Sequence, residues 1–120
     1  MAVHVDVADG TLLVRFNGWD RFWAFHRDAR VPLDYVTDVR VVDRRDAHST
    51  LGLRLAGSYV PKILTAGLFR TRGGGRQLWC VHRAQNVVAI DLRGQKWDRI
   101  VVEVTDPFGT ATRIETARRS

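Results

Sequence analysis

Apolar and polar residues alternate over most of this chain. Residues Ala2 to Ala8 read AVHVDVA, with Val3, Val5 and Val7 on one side and His4 and Asp6 on the other. Strand side chains point to opposite faces in turn, so this period of two predicts a strand. Asp9-Gly10 is a two-residue hairpin signal. Thr11 to Phe16 then returns with Leu12, Val14 and Phe16 inward. Further strands are expected at Asp38–Asp43, Leu51–Leu55, Ala66–Thr71 and Gln77–His82. Arg30 to Leu33 reads as a short extended piece, and Pro32 suits a strand start or a sheet edge. Arg44 to Thr50 is polar and reads as a loop.

The last third carries the clearest pattern. Asn86–Leu92 places Val88, Ile90 and Leu92 on one face, and Arg99–Val104 places Ile100, Val102 and Val104 on one face. With Gln77–His82 they predict an antiparallel meander with one wet face. At Asp106-Pro107 the period changes. Asp is a good N-cap and Pro fits the first helical position. Phe108, Ala111, Ile114 and Ala117 follow at intervals of three, predicting a helix over about 106–117 that lays Phe108 and Ile114 onto a sheet. The expected fold is mainly β with one C-terminal α-helix. About seven antiparallel strands within residues 2–104 form two packed sheets or an open barrel, and the helix caps it. The whole of 1–120 is read as one domain.

The order of strands followed by one helix resembles the pleckstrin-homology-like (PH-like) fold, and in particular small stand-alone bacterial PH-like proteins of actinobacterial type. The residues that carry the resemblance are Val31-Pro32-Leu33 with Val36 and Val39, then Gly57-Ser58-Tyr59-Val60-Pro61 with Ala66-Gly67-Leu68-Phe69. Val88–Leu92 and Ile100–Val104 with Asp106-Pro107 complete it. The resemblance implies a PH-like roll and no particular ligand. Eukaryotic PH domains that bind phosphoinositides use basic residues in the first strand loop. Here that loop is Ala8-Asp9-Gly10 and has none.

The formal net charge is +6 and unevenly placed. Residues 1–51 hold seven Arg against eight Asp, whereas residues 52–104 hold nine basic groups against three acidic ones. Such asymmetry can draw acidic lipid or nucleic acid. It also fits an arginine-rich composition, since 17 of the 19 basic residues are Arg. Within this segment, Arg70, Arg72 and Arg76 surround Gly73-Gly74-Gly75, a hairpin tip whose backbone N–H groups could form an anion nest. The competing reading is a solvated tip. Trp19, Phe22 and Trp23 form an aromatic cluster that suits either a partner surface or the cover of a core.

Other chemistries find little support. His4, His26, His48 and His82 are scattered, so no zinc-ligand spacing exists. Cys80 is the single cysteine, within a strand pattern, and reads as a small buried hydrophobe. Cys80 and His82 share a strand face and could in principle form a thiolate pair; packing is the simpler reading. The triple glycine lacks the Lys-Ser/Thr of a phosphate loop, and Ser58 lacks a nucleophile-elbow setting. Asp34, Asp38, Asp43 and Asp46 suit solvated or capping roles. No apolar run reaches the ~20 residues of a membrane span, and no signal peptide is recognised, so a cytoplasmic protein is expected. The sequence therefore points to a non-enzymatic binding or scaffold module without a cofactor. It would act on another protein or on itself as a homo-oligomer, with acidic lipid or nucleic acid as the alternative.

Overall fold

The computed structural model describes residues 2–17, 29–48, 51–60, 64–71, 75–82 and 85–119, with 51–60 and 64–71 as backbone only. The described residues are mainly β, with strands β1 (Ala2–Ala8), β2 (Thr11–Asn17), β3 (Ala29–Pro32), β4 (Val36–Asp43), β5 (Leu51–Val60), β6 (Leu64–Thr71), β7 (Arg76–Val81), β8 (Asn86–Leu92) and β9 (Arg99–Val102). Two helices accompany them, α1 (Arg44–His48) and α2 (Pro107–Arg118). The strands form a three-stranded sheet in the order β1-β2-β3 and a six-stranded sheet in the order β4-β8-β9-β7-β6-β5.

The opening hairpin follows from its sequence. Asp9 and Gly10 both have positive φ, 52° and 72°. That conformation matches the twist of the strands in a two-residue turn, and the Asp-Gly pair tolerates it. Leu33 donates its N–H to the Gly10 carbonyl, tying the turn to the 3-10 turn Leu33–Tyr35 that leads into β4.

The two sheets share one interior. Val3, Val5, Leu12, Val14, Ala29 and Val31 of the small sheet meet Val39, Leu78, Cys80, Val88, Ile90, Ile100 and Val102 of the large one. The arrangement is a β-sandwich, and α2 closes it by packing on β4, β8 and β1.

The expected meander is replaced by another order. β8 pairs antiparallel with β9, but β9 lies between β8 and β7 and runs parallel to β7. No wet face results there. Val87, Ala89, Trp79, Val81 and Val101 are buried on the far side of the sheet, together with Ala47 of α1. The signal was present: VVAI, LWCV and IVV are unbroken apolar runs, the mark of strands covered on both faces.

Three local expectations also change. The segment after Asp43 is helical rather than a loop, because the Asp43 carboxylate caps it by accepting from the Arg45 N–H at 2.8 Å and Ala47 is buried. β5 extends beyond the expected Leu51–Leu55 to Val60, with register irregularities at Leu51/Leu53 and Arg54/Ala56, and its Gly57 faces Gly67. Phe108 does not plug the core: it is 63% exposed, while Ile114 is fully buried. A residue advances about 100° around a helix, so Phe108 and Ile114 stand about 120° apart despite their shared interval of three. Thr110, about 40° from Ile114 by the same rule, takes the buried place.

Candidate binding edge beside the C-terminal helix

Sheet edges are where a chain can accept another strand. Among the described residues the small sheet ends in β1, and a two-residue turn fixes which of its backbone groups point away from β2. The closing pair Ala8–Thr11 exchanges both backbone bonds in such a hairpin, and bonded pairs then alternate. Ala2, His4, Asp6 and Ala8 thus bond toward β2, and Val3, Val5 and Val7 turn their N–H and C=O outward. The Val5 carbonyl is where Arg113 of α2 reaches, its Nη2 donating at 3.3 Å and also at 3.4 Å to Thr110 Oγ1.

The same helix reaches the edge of the other sheet. Arg118 Nη2 donates to the Thr37 carbonyl on β4 at 3.1 Å. The β4–β8 register shifts between Val36 and Asp38, which leaves Thr37 without a cross-strand partner. α2 thus stands across the open side of the sandwich with one arginine on each edge strand. Glu115 holds Arg118 in place at 2.5 Å.

Beside β1 and the start of α2 lies an open groove of about 570 Å³. His4, Asp6 and Arg15 line it from the hairpin, and Asp106, Thr110 and Arg113 from the helix side. His4, Asp6 and Arg15 are exposed on the outer face. The groove carries charges of both signs and runs along the outward backbone groups of β1.

Of the residues singled out from the sequence, Gly75 and Arg76 do not line this groove. Trp19, Phe22, Trp23, Arg72, Gly73 and Gly74 lie outside the described residues. Arg70 pairs through its backbone with Arg76 at the base of the glycine tip. Gly75 is half-buried and Arg76 is exposed. The Arg76 N–H donates to Asp98 Oδ2 at 2.8 Å, so the protein's own carboxylate occupies that amide. The described cations of the basic middle segment do not converge either. Arg99 pairs with Asp91 at 2.5 Å, Arg93 donates to the Asp34 carbonyl at 3.3 Å, and Lys96 sits 5.9 Å over the Trp97 ring.

Cys80 lies in the shared interior with no exposure, and burial pushes its thiol well above the ordinary range. Only the thiolate attacks, and burial works against forming it at Cys80. Asp38 and Asp91 share Arg40, and Asp91 also holds Arg99, forming one charged row across β4, β8 and β9. Among the described residues no group of three or more His, Cys, Asp or Glu could hold a metal ion, and no helix is long and apolar enough to cross a membrane. Which backbone groups of β1 point away from β2 could have been found from sequence, since the Asp-Gly turn fixes them; that β1 is an edge could not.

Compared with family models, curated proteins and solved structures, the chain matches none.

Proposed function

We propose that this chain is a non-enzymatic, PH-like interaction module that takes an extended polypeptide segment along β1, in the groove beside α2. The observation that carries this reading is the row of outward backbone groups at Val3, Val5 and Val7, flanked by that groove. Main-chain hydrogen bonds supply affinity in strand addition, and pockets for alternate side chains supply selectivity. The groove offers His4 and Arg15 to acidic side chains and Asp6 and Asp106 to basic ones.

The test is a selection of short peptides from a random library, followed by amide chemical-shift mapping. Shifts centred on Val3, Val5 and Val7 support the reading. Failure to select any binder, or shifts confined to other strands, overturns it. Val7→Pro is the matching variant. The Val7 N–H points away from β2, so proline removes an outward donor and spares the hairpin ladder.

The alternative, an anion-binding module for acidic lipid or nucleic acid, rests on the charge of residues 52–104. Its mark would be binding to anionic vesicles or oligonucleotides that weakens steeply with salt.

A further inference from the structure

We propose that the segment β1 accepts is β1 of a second copy, paired antiparallel about a two-fold axis through Val5. The inference rests on the strand-addition reading and names its occupant. The argument is one of register. When Val5 faces Val5 of the second copy, Val3 faces its Val7 and Val7 its Val3, so all three outward residues exchange backbone bonds at once. His4 then stands opposite Asp6 of the second copy, twice, in the close non-bonded pairs where side chains meet. An imidazole N–H faces a carboxylate at each.

A slip of two residues in either direction loses this. One slip sets His4 against His4. The other sets Asp6 against Asp6, and like charges directly opposite are destabilising. Both pair only two of the three outward residues with each other. The sequence VHVDV is thus self-complementary about its centre, as an isologous interface requires. Pairing joins two three-stranded sheets into one of six, and the buried sides of Val3 and Val5 continue across the axis.

Arg113 is the competitor. Its guanidinium holds the Val5 carbonyl at 3.3 Å and must leave for the central pair to form. Its removal should therefore tighten the pairing, the opposite of what an ordinary interface residue does.

The experiment uses the full chain. His4→Cys protein is mixed with Asp6→Cys protein under mild oxidation. A disulfide-linked heterodimer is expected, with little linkage in either protein alone, since only residues 4 and 6 face one another. The buried Cys80 does not compete. Sedimentation of the unmodified chain should show a monomer–dimer equilibrium. Val7→Pro should weaken it at least tenfold with the fold intact by circular dichroism, and Arg113→Ala should strengthen it several-fold. Equal linkage in the mixed and single samples, or a strict monomer at hundreds of micromolar, overturns the inference. A strict monomer whose Val3, Val5 and Val7 amides still shift with a selected peptide overturns the second copy and retains the strand-addition reading.

Discussion

The Asp106 carboxylate occupies the space that a side chain at Gly109 would fill. Asp106 Oδ1 accepts from the Gly109 N–H at 3.0 Å and caps α2. A Cβ at Gly109 would overlap the same carboxylate, 2.8 Å from its Cγ. The glycine that weakens the helix by composition is therefore the one that lets the cap close.

This relationship predicts a reversal in a double-mutant cycle. Asp106→Ala alone should cost about 1 kcal/mol. Gly109→Ala in the Asp106→Ala background should recover about 1 kcal/mol from helix propensity. Gly109→Ala alone should gain nothing, because it displaces the carboxylate. Urea unfolding of the four proteins measures the coupling, and a full gain for Gly109→Ala alone would contradict the overlap.

The two apolar residues of α2 should behave unlike each other. Ile114 is fully buried, so Ile114→Ala should cost about 2–5 kcal/mol through lost burial and the cavity left behind. Phe108 is mostly exposed, and Phe108→Ser should change stability by no more than about 0.5 kcal/mol. Denaturant midpoints at unchanged m-value report both. A comparable loss for Phe108→Ser would put it in the core after all.

Cys80 makes stability depend on alkaline pH. Burial raises the thiol of the folded chain above its value of 9.0 in the unfolded one. Below that value both states hold the proton and nothing is lost. As pH rises past it the unfolded state gives up its proton first, so stability falls toward the folded-state value at about 1.4 kcal/mol per pH unit. Cys80→Ala should remove that slope, though it shifts the curve as a whole. Thiol labelling at neutral pH should likewise proceed only through unfolding.

The charged row across β4, β8 and β9 is held by Asp91, which meets both Arg40 and Arg99. Asp91 and Arg99 are each 23% exposed and Arg40 45%, so water and salt screen these pairs. Asp91→Asn should cost about 1 kcal/mol at low salt. The loss should shrink in 1 M sodium chloride, where the screening length is about 3 Å. A cost independent of salt would show that hydrogen bonding, not charge, carries the row.

Much of the fold was legible because its determinants are local. The Asp-Gly turn, the alternation in β1 and β2, and the Asp106-Pro107 start of α2 each need only neighbouring residues. The order of β7, β8 and β9 was not, because alternation along a strand marks its faces and does not say which strand it pairs with. Phe108 was misplaced for an arithmetic reason: an interval of three drifts around a helix, and Thr110 fits the interior better. The edge at β1 was half legible. Alternation marks its two faces, but only the turn geometry and the reach of Arg113 single out Val5.

The tie between Val5 and Arg113 spans 108 positions of the chain, and that between Thr37 and Arg118 spans 81. On the ribosome, β1 and β4 emerge long before the helix that guards them. At about 5–20 residues per second the first border stays bare for about five to twenty seconds and the second for about four to sixteen, intervals in which neighbouring nascent chains on one message could find each other through them.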